Sequence, residues 1–141
     1  MTKSTVYDCS IIELPVNYSN RGNLTAIENR KHIPFDVRRI YYLYDIPADG
    51  SRGGHAHKEL NQLIVPASGS FDILLYDGNV KRTVTLNRPF KGLLIVPGIW
   101  RELNNFSSGS VCLVLASHKY NEGDYIRDYE EYLRWKFGQN N

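Results

Sequence analysis

The segment GSFDILLYDGNVKRTVTL, residues 69–86, places two β-branched and apolar runs on either side of Asp77–Gly78–Asn79. Asp-Gly between such runs is among the strongest local signals for a tight β-hairpin. The same grammar recurs along the chain. GNLTAIE (22–28), VRRIYYLYDI (37–46), NQLIVPAS (61–68), GLLIVPGIWRELNNF (92–106) and SVCLVLAS (110–117) each read as strand, set off by glycine, proline, serine or asparagine, and GGHAHK (53–58) leads into another. Within 37–46, Arg39, Tyr41 and Leu43 alternate with Arg38, Ile40 and Tyr42, the period of a half-buried strand. Only the tail, EGDYIRDYEEYLRWKFG (122–138), has helical spacing, with Tyr125, Tyr129, Tyr132, Leu133 and Phe137 near one face. Many short strands with one terminal helix predict an antiparallel sandwich or jelly-roll barrel.

The chain has 141 residues and no internal repeat or low-complexity tract, so a single domain over 1–141 is expected. Hydrophobic residues make up 42%, as in a globular chain and not a disordered one. The formal charge of +2 is too small to argue for nucleic acid or a membrane surface. The start, MTKSTVYDCSIIELP, holds no apolar run of signal-peptide length, and no later run reaches the roughly eighteen residues of a membrane span. A cytoplasmic location is expected, and the sequons NYS and NLT then carry no message. Cys9 and Cys112 are far apart and outside any CxxC pattern; Cys112, in VCLVLA, is expected to be a buried thiol. No Gly-rich phosphate loop, G-x-S-x-G or CxxC site is present, so those chemistries have no support.

Two histidines stand two apart in RGGHAHKELNQLIVPASG (52–69). Residues i and i+2 of a strand share a face, so His55 and His57 should point the same way. The spacing onward to Gln62 and Gly69 resembles the first cupin motif, with glutamine where that motif carries glutamate. The second motif resembles GLLIVPGIWREL: Pro97 and Gly98 are in place, but Arg101 stands where a histidine would be expected. A cupin metal site wants imidazoles and a carboxylate. Gln62 is a weak neutral ligand, and a guanidinium repels a cation. The expectation is a barrel whose metal site has been lost, leaving imidazoles for proton transfer. Arg21, Arg38, Arg39, Arg52 and Arg101 come from separate segments; converging at a barrel mouth, they would suit a diphosphate. Tyr41, Tyr42 and Trp100 could stack on a base or a sugar.

Over nearly its whole length the chain resembles the sugar-nucleotide 3,4-ketoisomerases, dTDP-4-oxo-6-deoxy-D-glucose 3,4-oxoisomerases. These are metal-free cupins related in fold to the dTDP-sugar 3,5-epimerases. The resemblance rests on RGNLTAIE, IPFDVRRIYYLYDI, RGGHAHKELNQLIV, GSFDILLYDG, GLLIVPGIWREL and VCLVLASHKYNEGDYIRDYEEYL, in that order. It implies an all-β cupin jelly roll, a double-stranded antiparallel barrel with a short C-terminal helix. It implies a substrate, dTDP-4-keto-6-deoxy-D-glucose, whose carbonyl moves from C4 to C3, and no cofactor. The product would feed an aminotransferase making a 3-amino-3,6-dideoxyhexose for surface polysaccharide such as lipopolysaccharide O-antigen, or for a glycoside.

The resemblance places the catalytic histidine at His55, with His57 beside it and an important tyrosine at Tyr41. Arg39 and Arg52 become candidates for the diphosphate or for enediolate charge, with Gln62 also lining the site. Arg21 and Arg101 fall where relatives vary with the C4 configuration, galacto or gluco, of the product. A homodimer with strand exchange is also implied. A 3,5-epimerase, a non-catalytic sugar-nucleotide-binding cupin and a metal-dependent oxygenase are the competing readings.

Overall fold

The computed structural model describes residues 3–47 and 49–138. The described residues form two five-stranded sheets with antiparallel neighbours. One is built from β1 (Ser10–Glu13), β7 (Lys91–Ile95), β4 (Gln62–Ser68), β9 (Val111–Ala116) and β2 (Arg39–Leu43), in that spatial order. The other runs β10 (Tyr125–Ile126), β3 (Arg52–His57), β8 (Trp100–Asn104), β5 (Phe71–Tyr76), β6 (Lys81–Leu86). The expected hairpin is β5–β6, with Asp77 accepting the backbone N–H groups of Asn79 and Val80 through one carboxylate oxygen, at 2.8 Å each. Its other oxygen accepts Val6 N at 2.9 Å and ties down the N-terminal segment.

Between the sheets lies an apolar core that includes Ile64, Phe71, Ile73, Leu75, Leu93, Ile95, Leu103, Cys112 and Val114. β5 buries every second residue, Phe71, Ile73 and Leu75, as a strand facing a core on one side must. β4 is buried on both faces along Gln62–Pro66, because Leu63, Val65, Leu94 and Leu115 meet Leu14, Ile33 and Phe35 from the segment before β2. Helix α1 (Tyr129–Phe137) covers the outside of the second sheet, packing Tyr132 on Ala56, Trp100 and Ile126. The Asp128 side chain caps its N-terminus by accepting Glu131 N, and Gly138 ends it at φ 66°, the left-handed value that favours glycine. No helix among the described residues is long and apolar enough to cross a membrane.

Three expectations are corrected. Residues 22–28 form no strand: Leu24 makes an isolated bridge to Asn17, and Ile27 packs against the outer face of the first sheet. The run 92–106 is split between β7 and β8, in different sheets, because Pro97–Gly98 turns the chain with Gly98 at φ 84°. The helix begins at Tyr129 and not at 122. Glu122–Asp124 is a 3₁₀ turn, and Tyr125–Ile126 pairs with His57 and Ala56 as β10. β1 is a strand that the sequence patterning above does not predict. Cys9 and Cys112 are both free, buried thiols; burial raises the pKa of each, that of Cys112 to about 12.

Candidate active site

At the start of β3 the backbone does something unusual. The register with β8 shifts between Gly53 and His55, and Gly54 sits at φ 65°. Such a bulge re-aims the side chain that follows it. His55 then lies across from Arg101 on β8, and His57 follows on the same face. The two rings meet edge to face with centroids 4.8 Å apart, and their Nε2 atoms are 3.1 Å apart.

His57 is fully buried. Its Nδ1 lies 2.9 Å from Asp124 Oδ2, while Asp124 Oδ1 accepts Glu59 N at 2.7 Å. Burial, and then coulombic repulsion from Arg101, His55, Arg39 and Arg127, push the His57 pKa far below the usual imidazole value. The contact with Asp124 is therefore a neutral N–H donated to a carboxylate and not an ion pair.

A second chain of polar groups crosses between the sheets. Arg101 is 1% exposed and Gln62 is 2% exposed. Arg101 Nη1 donates to Gln62 Oε1 at 2.6 Å, and its Nε and Nη2 donate to the Ile99 carbonyl at 3.2 and 3.1 Å. Gln62 Nε2 in turn donates to the Tyr41 hydroxyl at 3.2 Å. Burial raises the Tyr41 pKa, so its hydroxyl keeps its proton and can donate it to a ligand. Desolvation lowers the Arg101 pKa, but a guanidinium starts so high that it stays charged near neutrality.

This donor set does not fit a divalent cation. The two Nε2 atoms converge as a metal-binding pair would, but the oxygen of Gln62 is committed to a guanidinium, and that guanidinium is itself a cation beside His55. Coulomb repulsion in a poorly solvated site would amount to several kcal/mol.

His55, Tyr41, Gln62 and Arg101 line a cavity of about 410 Å³, with His57 buried behind His55, within the range of small-molecule sites. Arg39, Arg52, Arg101 and Arg127 line it and, among the described residues, no carboxylate does, so it is set up for an anion. Arg39 Nη2 donates to the Tyr125 hydroxyl at 3.3 Å, and its charged carbon lies 5.2 Å from the Tyr41 ring centroid. Its buried Nε has no hydrogen-bond partner among the described residues. Tyr125 packs on both histidines, with ring centroids 5.1 Å from His55 and 4.4 Å from His57. Arg127 lies 4.2 Å over the Tyr125 ring and is held by Glu122, Nε to Oε2 at 2.8 Å.

The fold thus brings together His55, His57, Tyr41, Gln62, Arg39, Arg52 and Arg101. It does not bring Arg21, Arg38, Tyr42 or Trp100 to this cavity. Arg21 is exposed in the loop before residue 24, and Arg38 lines a separate cleft with Phe35, Ser117 and Lys119. Tyr42 and Trp100 are each one residue from an inward-facing neighbour, Tyr41 and Arg101, so strand alternation sends them outward. Trp100 lies under α1 and donates its indole N–H to Glu102. Asp124, Tyr125 and Arg127 were missed. Their spacing predicts helix, and only the segment's return to the edge of β3 gives it a place in the site.

The description "FdtA: WxcM-like, C-terminal" matches residues 7–136. The chain is 45% identical over 116 residues to a TDP-4-oxo-6-deoxy-alpha-D-glucose-3,4-oxoisomerase of Aneurinibacillus thermoaerophilus, covering 82% of this chain and 84% of that protein. A 3,4-ketoisomerase from Helicobacter canadensis superposes with a TM-score of 0.90 at 50% identity, over 92% of this chain and 98% of that one. A His-to-Asn mutant of the 3,4-ketoisomerase QdtA from Thermoanaerobacterium thermosaccharolyticum, in complex with TDP-4-keto-6-deoxyglucose, superposes with a TM-score of 0.92 at 38% identity. That match covers 96% of this chain and 98% of the other.

Proposed function

The chain belongs to the FdtA, WxcM-like C-terminal family, and from that premise we propose that it is a dTDP-4-keto-6-deoxy-D-glucose 3,4-ketoisomerase, an isomerase that works as one cupin domain over residues 1–141. The observation that carries this reading is the pairing of His55 with His57 at a cavity that His55 shares with Tyr41 and four guanidinium groups, and that no carboxylate lines among the described residues.

The chemistry follows from the substrate. The C3 hydrogen is acidic because it is α to the C4 ketone. His55 takes that proton, the C3–H electron pair becomes a C3–C4 π bond, and the carbonyl π pair moves to O4. Tyr41 donates a hydrogen bond to the developing oxyanion, and the guanidinium field stabilises its charge. A proton then returns to C4. The O3–H bond pair becomes the new carbonyl, and its proton passes to O4, so nothing is gained or lost overall. Arg39 and Arg52 serve the diphosphate; the unpartnered Arg39 Nε supports that role.

The C3 ketone made this way suits an aminotransferase, in a route to 3-amino-3,6-dideoxyhexoses for lipopolysaccharide O-antigen or related glycans, carried out in the cytoplasm. The working form is a homodimer with strand exchange. β2 supports this: it is an edge strand whose outer face shows Ile40 at 60% and Tyr42 at 59% exposure, continued by Tyr44 at 62%. Arg21, outside the cavity of one chain, would take part only in that assembly.

The test is incubation with dTDP-4-keto-6-deoxyglucose in heavy water, followed by NMR. Deuterium at C4 with a C3 ketone is expected, and the same spectrum gives the C4 configuration. Exchange at C5 would mark a 3,5-epimerase. Binding without exchange would mark a non-catalytic cupin. Either of these ends the proposal. His55→Asn should remove turnover and leave the fold intact.

A further inference from the structure

His57 is buried and neutral, so its ring carries one N–H and one lone pair. The nearest partner of Nδ1 is the Asp124 carboxylate at 2.9 Å, which can only accept. The N–H of His57 is therefore on Nδ1, and its lone pair is on Nε2. That lone pair faces His55 Nε2 at 3.1 Å. Two lone pairs at that distance repel, so His55 must carry a proton on Nε2. A neutral His55 then has its own lone pair on Nδ1. One carboxylate decides the state of two rings in series.

We propose that Asp124 is the positioning residue that sets the tautomers of both histidines, making Nδ1 of His55 the nitrogen that exchanges protons with the substrate. This rests on the ketoisomerase reading for its chemical use, though not for the tautomers themselves. Asp124 touches no reacting atom; it lines no part of the cavity. Its second oxygen is held by Glu59 N at 2.7 Å, and Asn121 Oδ1, accepting Gly123 N at 3.0 Å, caps the 3₁₀ turn that carries it, so the carboxylate cannot swing away from His57. When His55 Nδ1 accepts the C3 proton, the C–H pair stays on the substrate as the new π bond. The resulting imidazolium keeps its Nε2–H against the His57 lone pair, its Nδ1 proton exchanges with solvent, and Nδ1 then delivers a proton to C4. Asp124 stays ionised and His57 keeps its Nδ1 proton throughout.

The substitution Asp124→Asn separates this from a structural role. Its carboxamide oxygen can still accept Glu59 N, so the turn is retained. Its amide N–H₂ then faces His57 Nδ1 and requires a lone pair there. The His57 proton moves to Nε2, His55 must present a lone pair to it, and the His55 proton moves to Nδ1, where it blocks the base.

The measurement is the set of long-range proton–nitrogen correlations in ¹⁵N-labelled protein without ligand. The chain has four histidines, His32, His55, His57 and His118, and single replacements assign them. The native protein should show His57 protonated on Nδ1 and His55 on Nε2. Asp124→Asn should reverse both and lower kcat by roughly 10²-fold or more with KM little changed. A native His57 protonated on Nε2 overturns the proposal, and so does a substitution that leaves both tautomers and kcat as they were. Should Asp124→Asn fail to fold, the native spectrum alone decides. If the protein proves inactive on the sugar, the reaction falls, and the spectrum still answers for Asp124.

Discussion

Acidification should destabilise this protein through His57, by an amount that can be worked out. The ring is fully buried, with Tyr125 packed on it, Asp124 at one nitrogen and His55 at the other. Burial is the largest influence on it, followed by Arg101, His55, Arg39 and Arg127, all of which lower its pKa. The Asp124 carboxylate pulls the other way but is outweighed. In the unfolded chain the ring returns to about 6.5. The sign follows directly. Below that value the unfolded state binds a proton that the folded state refuses, so stability is full above it and falls as the pH drops. The loss approaches ~1.4 kcal/mol per pH unit.

Between about pH 7.5 and pH 4.5 this amounts to about 2.7 kcal/mol from His57 alone. Urea unfolding at the two pH values reads it as a midpoint shift on the order of 1 M for a urea slope near 2 kcal/mol/M. Other groups titrate in the same window, so the comparison is with His57→Gln, whose amide can still donate to Asp124. The substitution should remove most of a 2.7 kcal/mol share of the acid sensitivity. Equal pH losses in both proteins would refute the argument, because His57 would then take up its proton equally well folded and unfolded.

Two further outcomes follow from the polar chain across the barrel. Tyr41→Phe removes the hydroxyl that accepts from Gln62 and that would donate to the oxyanion. It should cost roughly 10²- to 10³-fold in kcat, measured by NMR turnover, with the fold retained. The double substitution Arg101→His with Gln62→Glu removes the guanidinium and gives His55 and His57 two new neighbours of ligand type. It should retain about one divalent metal per chain after dialysis, read by elemental analysis, and the unaltered protein should retain none. Metal held at full occupancy by the unaltered protein would sink the account of the emptied cradle.

Some of this architecture is local, and the chain states it plainly. The hairpin at Asp77–Asn79 needs only its own turn chemistry and flanking alternation. The shared face of His55 and His57, and the opposite faces of Tyr41 and Tyr42, are consequences of a two-residue period. The replacement of ligands at Gln62 and Arg101 is likewise visible as residue type, because a guanidinium carries its charge into any fold. The same alternation forbids Tyr42 and Trp100 from sharing the cavity with Tyr41 and Arg101, so their aromatic rings cannot stack on a ligand there.

The remainder depends on where distant segments return. Tyr125 has helical spacing to Tyr129, yet the edge of β3 offers it hydrogen bonds that begin a strand, and Asp128 starts the helix later. That one choice puts Asp124 against His57, across 67 residues of chain. Residues 22–28 look like strand material, but the outer face of the first sheet needs apolar cover, and Ile27 supplies it. Spacing and residue type set which side chains could meet and what each could do. Burial set their protonation states, because an imidazole exposed to water would be free to choose its tautomer, and one enclosed between a carboxylate and a second ring is not.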